Sequence, residues 1–243
     1  MGQLNKVYTD KTSYHMISKL SHELRTPLTV IYSNLQLLNN YKDKIDRTLQ
    51  QEAINLSFLA LNNIIRLLDN ISIFNKSNND SLTLQASKVK LNSFTEKITE
   101  ELNSFDEYKN RIIAKNFIYQ DIVILDEFLV EHALSNILNN ALKYSDFSTQ
   151  VQFNTYQFSE YILFVIADQG IGLEQEETNK IFNAFYRGKN VNSVKGNGLG
   201  LNIAKRCIEI HGGKILLTSK INEGTTVKIY IPYEKGVKRH TNH

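Results

Sequence analysis

Across residues 3–76 no stretch alternates apolar and polar residues; the apolar side chains recur instead at 3- and 4-residue spacings. That periodicity restricts this part of the chain to helices with buried seams. Ile17, Leu20, Leu24, Leu28, Ile31, Leu35 and Leu38 mark the first seam, over residues 12–39. The pattern breaks at the polar run Asn40-Tyr41-Lys42-Asp43-Lys44 and resumes to residue 74, as expected of two antiparallel helices joined by a short connection. The second helix carries more apolar surface than one partner can cover. Leu49, Leu56 and Leu67 lie along one line and Ile54, Leu61 and Leu68 along another, with Phe58 and Ile65 between them. A lone helical hairpin buries too little surface to be stable, so the pattern predicts a four-helix bundle made with a second copy of the chain.

Within the first helix, the run Ser21-His22-Glu23-Leu24-Arg25-Thr26-Pro27-Leu28-Thr29 stands out chemically. At about 100° per residue, His22 lies roughly 200° from both Leu20 and Leu24, which turns its imidazole away from the seam. Thr26, four residues on, shares its face. Pro27 lacks an amide donor and crowds the carbonyl of Glu23, so a bend is expected beside the histidine. A surface His next to Glu is commonly just a solvated face. An exposed imidazole with an adjacent acid, held on a stiff rod, is also an arrangement built to meet another group.

Composition narrows the partners. Lys and Arg number 28 against 25 Asp and Glu, and the resulting +3 is too small to argue for nucleic acid or an anionic membrane. The one cysteine, Cys207, rules out an internal disulfide framework and a cysteine-rich zinc site; its helical context reads as a packed thiol. No run approaches the roughly 18 apolar residues of a membrane-spanning helix, and the start has no signal-peptide pattern. The chain is therefore expected to be cytoplasmic, by itself or as the cytoplasmic portion of a longer membrane-anchored protein.

Lys76-Ser77-Asn78-Asn79-Asp80-Ser81 is polar throughout and marks a boundary. The expected organisation is a helical domain at residues 1–76, a linker at 77–81, a second domain at 82–235 and a basic tail at 236–243. Strands are predicted at 82–85, 111–119, 151–158, 161–167, 214–219 and 225–231, and helices at 93–105, 127–144 and 198–211. Strands beside helices without regular βαβ alternation predict a two-layer α+β sandwich. Residues 174–197 lack regular pattern and read as a functional loop of the lid type.

Three motifs in this domain carry chemistry. Asn136, Asn140 and Lys143 share one helix face by their i, i+4, i+7 spacing. Amide oxygens suit Mg²⁺, which keeps several waters and binds substrate phosphates, and the lysine adds a point charge; a solvated amide face is the even alternative. Asp168-Gln169-Gly170-Ile171-Gly172 follows a strand. Asp168 can accept a hydrogen bond from an exocyclic amine, while Gly170 and Gly172 let the backbone turn tightly and approach a flat ring, although such a string also serves ordinary turns. Gly196-Asn197-Gly198-Leu199-Gly200 opens a helix, where exposed N–H groups and the helix dipole favour an anion. It does not follow a strand within a βαβ unit, which argues against a dinucleotide-binding fingerprint.

Taken in order, with Ile181-Phe182-Asn183-Ala184-Phe185-Tyr186-Arg187 between the last two, these motifs resemble the N, G1, F and G2 boxes of the ATP-binding domain of sensor histidine kinases of two-component signalling. The His22 segment resembles that family's phosphoacceptor box, and the resemblance extends over residues 14–232. It implies a dimeric four-helix bundle followed by the ATP-binding sandwich shared with Hsp90, gyrase B and MutL-type ATPases. By this resemblance His22 accepts the phosphoryl group, Glu23 takes up its proton, and Thr26 sits where the family uses a small polar residue in dephosphorylating its partner. That partner is implied to be a response-regulator receiver domain on another chain. Asp168, with Gly170 and Gly172, is implied to meet the adenine, Asn140 to hold Mg²⁺ with Asn136 nearby, and Lys143 and Tyr144 to reach the phosphates of ATP. Gly196, Gly198, Leu199 and Gly200 are implied to pack the lid against the phosphates, with Arg187 at the γ-phosphate. Phe182 and Phe185 are read as lid anchors, and His132 and His211 as structural. Two other readings compete: a module that holds ATP without transferring its phosphate, and an ATPase of the Hsp90 or gyrase type, which would need Glu127 or Glu131 as its base.

Overall fold

The computed structural model describes residues 2–41, 44–79, 81–103, 108–188 and 198–235. They fall into two compact units, residues 1–75 and 76–243.

The first unit is a pair of long helices, α1 (Gly2–Tyr41) and α2 (Arg47–Asn78). α1 begins well before the predicted residue 12 and continues through Pro27. α2 runs into the polar cluster expected to be a linker, so residues 77 and 78 are helical. Asp46 caps α2: its Oδ1 accepts from the Leu49 amide at 2.8 Å, satisfying one of the orphan donors of the first turn. Ala53, Ala60 and Leu67 recur every seventh residue and form the buried line of α2. Ile54, Leu61 and Leu68 lie about 100° around the helix from that line, and they are exposed, as are Phe58 and Ile65. A single chain thus leaves uncovered the second apolar face anticipated from the spacing.

In the second unit, β1 (Ser87–Lys90) leads into α3 (Leu91–Asn103); β2 (Ile112–Phe117) and β3 (Ile122–Leu125) precede α4 (Glu127–Tyr144). β4 (Val151–Gln157) and β5 (Tyr161–Ala167) follow, then a 3-10 turn at Lys180–Phe182, α5 (Gly200–Ile210), β6 (Lys214–Lys220), β7 (Gly224–Pro232) and β8 (Glu234–Lys235). The main sheet has the order β2-β4-β5-β7-β6, with β2 parallel to β4 and the other pairs antiparallel. β1, β3 and β8 form a small second sheet. One face of the main sheet is dry: Val151, Phe153, Ile162, Phe164, Ile166, Ile229 and Ile231 are all buried, and the helices cover them. This is the expected two-layer α+β sandwich.

Differences from the sequence reading have local causes. Residues 82–85 are not a strand; the Gln85 amide donates to Asp126 Oδ2 at 2.7 Å, and pairing with β3 starts only at Ser87. β3 went unpredicted because a run of four apolar residues, Ile122-Val123-Ile124-Leu125, carries no period to read. β8 is a two-residue pairing partner of β3, also below the reach of periodicity. Cys207 is fully buried in α5, where burial first and the Asp126 charge second push its thiol up to about 12; it is an inert packing residue. His211 is likewise structural: its Nε2 accepts from the Asp126 amide at 3.2 Å, so its Nδ1 carries the proton that meets the Cys207 carbonyl at 2.8 Å. No helix among the described residues is long and apolar enough to cross a membrane.

Arg111, unremarked in the sequence, closes the C-terminal end of α4. It is buried, and its guanidinium donates to the carbonyls of Leu142, Ser145, Asp146 and Thr149 at 2.8–3.4 Å beneath the Phe147 ring. A cation there offsets the negative end of the helix and fills carbonyls left without helical partners. Arg111→Met is expected to cost about 3 kcal/mol, read as a lower urea midpoint at unchanged m-value.

Candidate functional site

α4 is built to present a polar line above an apolar one. Asp126 caps its start by accepting from the Leu129 amide at 3.1 Å, and Leu134, Ile137, Leu138 and Ala141 are buried against the sheet. Asn136, Asn140 and Lys143 consequently fall on the other side, half-buried. Asn140 and Lys143 line a cleft of about 980 Å³, measured to its solvent-open mouth, between α4, the end of β5, β6, β7 and the start of α5. Its apolar floor comes from Ile137, Ile166, Leu217 and Val227. That lining suits a small organic ligand with a flat apolar part.

Asp168 stands at the end of β5. Its Oδ1 accepts from the Gly170 amide at 2.8 Å and the Thr225 amide at 3.2 Å. Among the described residues its Oδ2 has no partner, so that oxygen is available to the cleft it lines. Burial holds the carboxyl above its ordinary value, with the two amide hydrogen bonds working against that shift. A half-desolvated carboxylate fixed by one oxygen is a strong acceptor for an amine.

The neighbouring glycines are needed for packing. A Cβ on Gly170 would come 2.5 Å from the Tyr144 carbonyl, and one on Gly172, whose φ is +63°, would come 1.9 Å from the Lys220 carbonyl. Gly172 lines the cleft; Gly170 does not, and seats the loop beneath Tyr144, whose carbonyl accepts from the Ile171 amide at 3.1 Å. The close approach that Gly170 makes within the chain is thus to backbone.

Lys143 Nζ lies 5.6 Å from the centre of the Tyr144 ring, and Arg187 lines the same cleft. Burial raises the Tyr144 hydroxyl above its ordinary value, and the Arg187 charge opposes this. Both cations act near Tyr144, a setting that suits an anionic ligand group. The Phe185 amide donates to the Gly198 carbonyl at 2.9 Å, with φ values of 65° and 75° at these residues. Gly198 and Gly200 line the cleft, whereas Leu199 is completely buried and contributes by packing the start of α5. Gly200 lies against Asn136: a Cβ there would stand 3.1 Å from the Asn136 Oδ1. Gly196 lies outside the described residues. Thr225 and Leu173, to which the sequence reading assigned no role, also line the cleft. Strand alternation places Thr225 in phase with the buried Val227, Ile229 and Ile231, a signal available in the sequence.

Glu131 is paired with Lys97 at 2.9 Å and is not among the cleft residues. This argues against one of the two candidate bases of the ATPase reading. In the helical unit, the His22 side chain is exposed on α1, and the Thr26 hydroxyl makes a long 3.5 Å contact with the His22 carbonyl one turn away. Thr29 makes the same kind of bond to the Arg25 carbonyl at 2.8 Å.

Residues 14–80 match the family model of the His Kinase A (phospho-acceptor) domain, and residues 125–235 match that of the histidine kinase-, DNA gyrase B- and HSP90-like ATPase. The signal transduction histidine-protein kinase ArlS of Staphylococcus aureus is 29% identical over 237 residues, which cover 94% of this chain and 50% of that protein. The chain thus spans about half the length of the curated relatives it matches. The mycobacterial sensor histidine kinase MprB is 27% identical with a TM-score of 0.52, covering 61% of this chain and 98% of that one. The Acinetobacter baumannii histidine kinase AdeS has a TM-score of 0.58 at 21% identity, covering 88% of this chain and 98% of that one, a likeness of fold alone.

Proposed function

The chain belongs to the sensor histidine kinases, and from that premise we propose that it binds ATP in the cleft and transfers the γ-phosphoryl group to His22. The observation that carries the reading is the cleft itself, which brings together an amine acceptor at Asp168, an apolar floor and the cations Lys143 and Arg187. A nucleoside triphosphate carries the matching amine, flat ring and anion. Among the described residues the Asn140 side chain makes no hydrogen bond, so its amide oxygen fits a hard cation held mostly by water and phosphate. Bound there with Asn136 nearby, Mg²⁺ would neutralise charge on the phosphates.

The transfer balances as follows. A neutral nitrogen of His22 attacks the γ-phosphorus in line; the N–P bond forms, the β,γ-bridging P–O bond breaks, and ADP leaves with that electron pair. Glu23 takes the proton from the other ring nitrogen and so keeps the attacking nitrogen nucleophilic. Lys143, Tyr144 and Arg187 hold the phosphates, and Gly198 and Gly200 let the start of α5 approach them. We further assign transfer from His22 to an aspartate of a response-regulator receiver domain on another chain, with Thr26 serving a phosphatase activity toward that partner. The working location is the cytoplasm, where ATP is supplied. Incubation with γ-labelled ATP and Mg²⁺ should give acid-labile, base-stable label on the chain; acid-stable label, or none, would sink the assignment.

The exposed second face of α2 supports a homodimer through the helical unit. Light scattering at micromolar concentration should report twice the chain mass. Ile65→Glu, which puts a charge on that face, should give the monomer while ATP still binds in the second unit.

A further inference from the structure

β6 and β7 pair in a register that sets Ser219 opposite Thr225, on the cleft side beside Asp168. Ser219 is not itself among the residues lining the cleft. Its hydroxyl touches three groups: the Leu173 amide at 2.9 Å, the Gly224 carbonyl at 3.0 Å and the Thr225 hydroxyl at 2.8 Å.

A hydroxyl has one proton and two lone pairs. The Leu173 N–H takes one lone pair of Ser219. The Gly224 carbonyl can only accept, so it takes the Ser219 proton. Thr225 must then donate to the remaining Ser219 lone pair, since no other assignment satisfies all three contacts. The Thr225 proton is thereby drawn behind the cleft wall, and lone pairs are what Thr225 offers to a ligand. Beside it, Asp168 has Oδ1 filled by two amides and offers Oδ2, also an acceptor.

We propose that Ser219 is a positioning residue that sets base selectivity: by holding the Thr225 proton, it makes Thr225 and Asp168 a pair of acceptors that reads a 6-amino purine and rejects a 6-oxo purine. The inference rests on the nucleotide reading of the cleft. Without Ser219, the Thr225 proton is free to swing into the cleft and donate to a 6-oxo group. Loss of the Leu173 contact, by contrast, would loosen the cleft wall for every nucleotide alike. The two consequences separate by their dependence on the base.

The test is displacement of a fluorescent ATP analogue by ATP and by ITP, which carries a 6-oxo group in place of the amine. Wild-type chain, Ser219→Ala, Ser219→Thr and Thr225→Val are compared, with folding checked by circular dichroism. Ser219→Ala should lower the ratio of ATP to ITP affinity by about tenfold. Thr225→Val should lower it as well, and Ser219→Thr, which restores the hydroxyl, should keep it near wild type. An unchanged ratio in Ser219→Ala, with both nucleotides weakened alike, overturns the proposal, as does a Ser219→Thr variant that loses selectivity as fully as the alanine. If the unsubstituted chain binds no ATP, the nucleotide reading fails first and this inference falls with it; ATP binding with an unchanged ratio rejects the inference alone.

Discussion

His22→Gln should reduce the label acquired from γ-labelled ATP to background, a loss on the order of 10³ or more. Glutamine keeps a polar side chain of helix-compatible propensity at an exposed position of α1, so the helical unit should keep its stability within about 0.5 kcal/mol. It has no nucleophilic nitrogen, because its amide lone pair is delocalised. The cleft proposed to bind ATP is lined wholly by residues of the second unit, so nucleotide affinity should be unchanged. The paired measurements are acid-labile label and fluorescent-nucleotide binding on the same preparation. Full labelling of the variant would mean that the acceptor lies elsewhere; loss of both signals would mean that the substitution had unfolded the chain.

Asp168→Asn should weaken ATP binding by about a hundredfold, since the asparagine amide can present an N–H donor where the wild-type carboxylate presents an acceptor. The Asn oxygen can still accept from the Gly170 and Thr225 amides, so the loop should stay in place. Stability should move the other way. Burial raises the Asp168 carboxyl above its ordinary 3.8 in the folded chain, so between those two values the folded state binds a proton that the unfolded state releases. Stability therefore falls as pH rises through that window, and the penalty is fully present at neutral pH. The nucleotide-free variant should melt at or above the wild-type temperature at pH 7, and its advantage should shrink as the pH is lowered through the window. A variant that lost stability and binding together at pH 7 would make Asp168 a structural residue rather than a ligand acceptor.

Much of the architecture was readable from local pattern. α4 was predicted with its observed ends, because its apolar positions keep a helical period; the Asp126 cap at its start is seen in the structure. β4 and β5 were expected as strands at 151–158 and 161–167, and the structure pairs them antiparallel with alternating burial. The elements that escaped are the ones with no period of their own. β3 has only four residues, and β8 pairs over two. Arg111 could not have been identified as a helix cap, because its carbonyl partners lie 31 to 38 residues further along the chain.

The sequence by itself determined which chemical groups are present and which share a face: His22 with Thr26 on one rod, Asn140 with Lys143 on one helix, and Asp168 at a strand end. These follow from spacing along a single element, where the backbone repeat dictates direction. Only the tertiary structure decided why the glycines are required and which side chains form the floor of the cleft. Gly172 is constrained by the carbonyl of Lys220, and Thr225 by the hydroxyl of Ser219 on the adjacent strand. Such contacts depend on strand register and on loops closing over distant residues, and no local periodicity encodes a partner on another element.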